Sequence, residues 1–190
     1  MSREKPIALV DMDGTLCDFD TAMKRDYEKL KAPGEPDVSP FDETIPWVKA
    51  RRDLIKSQKN WWLNLEKFKL GFDVYQVLLD LGYKTHVLTR GPGHAPQAWA
   101  EKVEWCRLHL PGVPITLTED KGLVYGKVLV DDWPKYIEAW LAHRPRGHVI
   151  MPAHYWNEGC FADNKRVIRY DGSNLSQVRE ELRFDDLDEE

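Results

Sequence analysis

The chain of 190 residues carries a net charge of −5 and 42% hydrophobic residues, enough for one globular core with a modest insertion. The acidic balance, without a basic stripe, counts against a nucleic-acid polymer as partner. No apolar run approaches membrane-spanning length and MSREKP lacks the apolar stretch of a leader, so a soluble cytoplasmic protein is expected, with its three separated cysteines reduced.

Residues 6–10 read as a short strand buried on both faces, ending at DMDG. Helical spacing follows over 20–30, with Ala22, Met23, Tyr27 and Leu30 as the inner face. The stretch KAPGEPDVSPFDETIPW is loop, and two helical pieces are predicted after it, at 48–56 and around 61–68. From Gly71 the pattern becomes regular. A helix stops at Gly82, KTHVLT is a strand, and 97–110 is a helix with Trp99, Val103, Cys106 and Leu110 near one face. PITLT and KVLVDD are strands, PKYIEAWLAH is a helix opened by proline, HVIM is a strand, and RVIRY is an edge strand. A closing helix spans 174–182, and the acidic tail after Phe184 is expected to fray. Strands alternating with helices imply an α/β fold with a mostly parallel sheet and helices on both faces. The segment 19–71 breaks the alternation and reads as a helical insertion beside the sheet.

In such sheets ligands bind outside the carboxyl ends of the strands. Asp11 and Asp13 lie after the first strand, Thr89 and Arg90 after KTHVL, Lys121 in the loop after PITLT, and Asp131 and Asp132 after KVLV. Residues two apart on an extended chain point the same way, so Asp11 and Asp13 can face one centre. Their mutual repulsion calls for a divalent cation, and oxygen donors suit Mg²⁺. Gly14 permits a tight turn that brings backbone amides close to an anion. An EF-hand is excluded, because DMDGTLCDFDTA lacks the glycine and terminal glutamate of that loop. Lys102, in EKVEW, reads as an exposed helical lysine in preference to one placed near a phosphate, and His154 lies in a loop without an assigned role.

The set DMDGT, strand–Thr89, Lys121 and VLVDD resembles the four signature motifs of the haloacid-dehalogenase (HAD) superfamily of phosphotransferases. Within it, DMDGTLCDFD, SQKNWW, TEDKGLVYGKVLVDD and HVIMPAHYWN are similar to segments of the 5'(3')-deoxyribonucleotidases. The resemblance covers most of 7–160. It implies a HAD-like core of 1–18 and 72–190 with a helical cap of 19–71 over the site. It also implies Mg²⁺ held by Asp11, Asp132 and the Asp13 backbone carbonyl. Asp11 would be the nucleophile and Asp13 the acid and base. Thr89 and Lys121 would hold the phosphoryl group, with Asp131 orienting either Lys121 or a water. Phe19, Trp61 and Trp62 would line the base site, although the two tryptophans could instead pack the cap on the core. Adjacent helical residues diverge by about 100°, so the two would not both stack on one base. Arg90 is a departure, since the resembled family has a small hydroxyl residue there. The guanidinium could clamp phosphate or turn outward to an acid. The implied activity is Mg²⁺-dependent hydrolysis of (deoxy)ribonucleoside monophosphates, with no membrane partner and a homodimer suggested by the family. Sugar phosphates, other small phosphomonoesters and 3'-phosphates on nucleic-acid ends are the alternative substrates.

Overall fold

The structure is a computed structural model and describes residues 4–92 and 95–184. Six parallel strands form one sheet in the order β3-β2-β1-β4-β5-β6. The strands are β1 (Ile7–Val10), β2 (Lys84–Thr89), β3 (Ile115–Leu117), β4 (Val128–Val130), β5 (His148–Pro152) and β6 (Val167–Tyr170). The helices are α1 (Phe19–Lys29), α2 (Pro46–Lys56), α3 (Lys69–Asp80), α4 (Pro96–His109), α5 (Pro134–Ala142) and α6 (Leu175–Glu181). Proline at the start of α2, α4 and α5 costs nothing there, because the first turn has no acceptor for its missing N–H. The Asp18 carboxylate caps α1 by accepting from the Thr21 N–H at 3.1 Å.

The unbroken apolar run IALV follows from burial on both faces of the sheet. Leu9, Leu88, Leu129, Val149 and Met151 pack against Ile137 and Trp140 of α5. Ala8, Val10, Val87, Val130 and Ile150 face the opposite way, toward Val74 and Leu78 of α3 and Trp105 of α4. Each such side chain contributes roughly 1.5–3 kcal/mol by leaving water. Met12 continues the parity of Ala8 and Val10, which sends Asp11 and Asp13 the other way.

The order of the strands reverses direction at β1. The chain first builds outward to β2 and β3, then returns to place β4 on the other side of β1. That switch point opens a crevice at the carboxyl ends of β1 and β4, where Asp11 and the pair Asp131–Asp132 sit. The register brings them level: Val10 pairs with Val130, and the Asp11 N–H donates to the Val130 carbonyl at 2.8 Å.

Three local readings change. Residues 61–64 form turns rather than a helix, and 65–68 run on irregularly with a bridge from Lys67 to Cys17. They start from Asn60 at φ 64°, whose N–H donates to the Glu101 carboxylate at 2.7 Å. In α4 the buried face is Ala98, Glu101, Lys102, Trp105 and Cys106, rotated from the expected one. Leu30 is 44% exposed, just past the end of α1. The tail expected to fray lies outside the described residues.

Candidate active site

The passages into and out of α1 and α2 run side by side beneath these helices. Asp18 N–H donates to the Glu66 carbonyl at 2.8 Å, and Phe68 N–H to the Leu16 carbonyl at 2.9 Å. Between this two-helix segment and the carboxyl end of the sheet lies a cavity of about 830 Å³, within the range of small-ligand sites. Asp11, Asp13, Lys121 and Asp132 face it from the sheet, and Phe19 and Trp62 from the side. Phe41 and Arg52 face it from the two-helix segment.

Lys121 organises the floor. Its ammonium is 2.7 Å from Asp11 Oδ1 and 2.7 Å from Asp131 Oδ2. The Tyr136 ring lies 4.7 Å from the same nitrogen. Burial works against the Lys121 charge, but the two carboxylates outweigh it and raise its pKa. Burial raises Asp131 to about 7, with the Lys121 ammonium pulling it back. The second Asp131 oxygen accepts from the Trp133 N–H at 3.0 Å, so both of its oxygens are engaged. Asp131 is therefore the residue that orients Lys121, the point the sequence left open. Asp132 accepts from the Thr15 hydroxyl at 3.1 Å through Oδ1. Burial, and then repulsion from Asp131 and Asp11, hold its pKa well above the ordinary carboxylate range. Asp11 Oδ2 and Asp132 Oδ2 have no hydrogen-bond donor among the described residues. Oxygens of Asp11, Asp131 and Asp132 approach within 4.8 Å of one another.

The charges do not balance locally. Four carboxyl groups, Asp11, Asp13, Asp131 and Asp132, meet two ammonium groups, Lys102 and Lys121; with all four ionised the excess is two negative charges, and burial and mutual repulsion resist that state by raising the pKa values of Asp13, Asp131 and Asp132. An all-oxygen donor set with that deficit fits a hard divalent cation.

Lys102 overturns its sequence reading. Its side chain is 1% exposed and donates to Asp13 Oδ2 at 2.5 Å and to the Arg90 carbonyl at 2.7 Å. A longer contact of 3.4 Å reaches the Thr89 hydroxyl, and the Trp62 ring lies 4.4 Å from the ammonium. Burial raises the Asp13 pKa; Lys102 opposes this and Asp11 adds to it. The neighbouring Glu101, also buried, accepts from the N–H groups of Asn60 and Trp62 and so fixes the turn that presents Trp62. The missed signal was the spacing of Ala98, Trp105 and Cys106, which encloses Glu101 and Lys102 on one helical face.

The other expected residues divide. Phe19 and Trp62 lie together on the cavity wall with ring centroids 5.6 Å apart. Trp61 points elsewhere: its indole N–H donates to Asp26 at 2.9 Å, and it lines a separate hollow beside Leu30 and Leu54. Thr89 is fully buried, within reach of Lys102. Arg90 lines the cavity but neither pairs with an acid among the described residues nor points away; its guanidinium donates to the Tyr136 hydroxyl at 2.9 Å.

The sequence family described as "5' nucleotidase, deoxy (Pyrimidine), cytosolic type C protein" matches residues 5–168, a span that holds every group named above. The chain belongs to this family. It is a phosphoric monoester hydrolase, and its fold is that of HAD-like hydrolases. Proteins of Bordetella bronchiseptica and Bordetella pertussis that carry the name "Putative 5'(3')-deoxyribonucleotidase" are 27% and 28% identical to it over 164 residues. Those alignments cover 78% of this chain and 84% of each relative. The fold is shared with a haloacid dehalogenase-like hydrolase of Burkholderia xenovorans, at TM-score 0.53 and 13% identity over 94% of this chain and 96% of that one. A magnesium-bound HAD-hydrolase of Bacillus subtilis superposes with TM-score 0.53 at 12% identity, covering 96% and 100%. Among the described residues no helix is long and apolar enough to cross a membrane.

Proposed function

We propose that this nucleotidase-family member is a Mg²⁺-dependent 5'-nucleotidase that hydrolyses (deoxy)ribonucleoside monophosphates through an acyl phosphate formed on Asp11. The observation that carries the reading is the Asp11 carboxylate, held by Lys121 at 2.7 Å with its other oxygen free, under a cavity walled by Phe19 and Trp62. The cation would be held by the Asp11 and Asp132 carboxylates and the Asp13 backbone carbonyl. It would supply positive charge against the phosphate dianion. Asp131 is committed to Lys121 and to the turn at Trp133, which leaves the cation to Asp132.

Asp11 Oδ attacks phosphorus, and the bond from phosphorus to the 5'-oxygen breaks. Asp13 gives its proton to that leaving oxygen. Water then attacks the phosphorus of the Asp11 acyl phosphate and yields a proton to Asp13; the Asp11–phosphate bond breaks and inorganic phosphate leaves. The raised pKa of Asp13 suits it to carry the first proton, and Lys102 keeps the carboxylate accessible for the second. Lys121 offsets the charge that repels nucleophile from ester. The Thr89 hydroxyl and Arg90 complete the phosphate pocket. Residues 19–71 act as the cap that excludes water, hinged where Leu16–Asp18 and Glu66–Phe68 run side by side. Phe19 and Trp62 stack on the base.

The test is a phosphate-release screen over deoxyribonucleotides, ribonucleotides and sugar phosphates. Release from dUMP or dTMP that requires Mg²⁺ and stops with EDTA supports the reading. Equal or faster release from sugar phosphates, unchanged in Phe19→Ala, contradicts the nucleotide assignment.

A further inference from the structure

The loop after β5 holds two side chains that the reaction does not use and that nonetheless reach its machinery. Asn157 is fully buried. Its Nδ2 donates to the carbonyl of Asp132 at 3.0 Å and to that of Pro152 at 2.9 Å. Its Oδ1 accepts from the His154 N–H at 3.0 Å and from Arg169 Nε at 3.1 Å. Two donors and two lone pairs are the whole capacity of a carboxamide, so nothing is left unmet. His154 Nε2 lies 2.6 Å from the Gly14 carbonyl. A carbonyl only accepts, so Nε2 carries the proton and donates. The imidazole is packed between the Phe68 ring, at 4.9 Å and 18°, and the Trp156 ring, at 4.0 Å and 10°.

These two anchors meet at one contact. Gly14 turns the chain at φ 71°, and a Cβ there would stand 2.7 Å from Asp132 Oδ2. The glycine backbone therefore abuts the carboxylate that has a free oxygen for a cation. His154 holds the backbone on one side of that contact, and Asn157 holds the backbone on the other. Thr15, the residue after Gly14, donates to Asp132 Oδ1 and closes the ring of contacts. Phe68 carries the same support toward the two-helix segment, because its own N–H is bonded to the Leu16 carbonyl.

We infer that His154 and Asn157 are positioning residues: together they set the spacing between the Gly14 turn and Asp132, and thereby the affinity of the site for its divalent cation. The inference rests on the metal site described under the proposed function, and it concerns metal binding alone. Groups that hold metal ligands from behind commonly change affinity 10–100-fold when removed.

The test is calorimetric titration of the full chain with Mg²⁺ in the absence of substrate, with thermal melting of each variant beside it. His154→Phe keeps a ring between Phe68 and Trp156 but has no N–H for Gly14. It is expected to melt cooperatively and to bind Mg²⁺ at least about tenfold more weakly. His154→Gln restores a side-chain N–H and is expected to recover most of that loss. Asn157→Asp keeps the shape but turns an acceptor toward two carbonyls, and it decides the matter in the same way if His154→Phe does not fold. Wild-type affinity in a folded His154→Phe or Asn157→Asp overturns the inference and leaves the proposed function standing. Failure of the wild-type chain to bind Mg²⁺ overturns both.

Discussion

Lys102→Met tests whether the buried ammonium holds the Asp13 carboxylate. The substitution keeps the length and apolar stem of the side chain and deletes its charge. Asp13 Oδ2 and the Arg90 carbonyl lose donors at 2.5 and 2.7 Å. Breaking a buried ion pair by removing one partner costs about 3–5 kcal/mol. Here the lower end applies, because the Asp13 side chain stays 29% exposed to the cavity and can take up a proton instead. We expect a loss of about 3 kcal/mol at pH 8, read by urea unfolding in EDTA. The sign of the pH dependence follows from the carboxylate. Burial already raises the Asp13 pKa, and Lys102 is the largest force opposing that rise. Without the lysine, Asp13 binds its proton more tightly in the folded chain than in the unfolded one. The folded variant therefore gains on wild type as pH falls, and the difference should shrink at pH 5. A loss of the same size at both pH values, or none at pH 8, would refute the assigned pairing.

Other expectations follow from single contacts. Gly14→Ala forces a side chain into a left-handed turn 2.7 Å from Asp132 Oδ2, so Mg²⁺ binding should fall sharply by calorimetry even where circular dichroism shows a folded chain. Trp62→Ala should raise KM for a nucleotide by about 5- to 150-fold, the equivalent of the roughly 1–3 kcal/mol of base stacking. Trp61→Ala removes a ring that lies outside the cavity but packs edge-on against Phe19 and Trp62, so it should lower Tm and raise KM less than Trp62→Ala does in steady-state assays. Arg90→Met should weaken inorganic phosphate as a competitive inhibitor; an unchanged inhibition constant would remove Arg90 from the phosphate pocket.

The centre of the sheet was legible because β1 and β4 are short apolar runs buried on both faces, and each ends where aspartates begin. That punctuation put Asp11, Thr89 and the pair Asp131–Asp132 at strand ends, and Lys121 in the connection after β3. What stayed hidden depends on partners far along the chain. The segment 61–68 carries aromatic spacing that looks helical, yet it is set by Glu101, which takes the N–H groups of Asn60 and Trp62. Lys102 hid because a charged residue on an amphipathic helix is ordinarily solvated, and only the approach of α4 to Asp13 makes burial favourable. Trp61 and Trp62 were indistinguishable as neighbours; the fold sends one to Asp26 and the other to the cavity. The division between Asp131 and Asp132 likewise needed the Trp133 N–H, a backbone group that spacing does not reveal.

In the proposed reaction Asp11 is the group that bonds to phosphorus. The most direct measurement is acid quenching of the Mg²⁺-loaded enzyme within its first turnover of a 5'-nucleotide, followed by peptide mass mapping. The proposed reaction predicts one acid-stable, hydroxylamine-labile phosphate on the peptide containing Asp11, absent in Asp11→Asn. Turnover that leaves no phosphate on the chain, or leaves it on another residue, would contradict it.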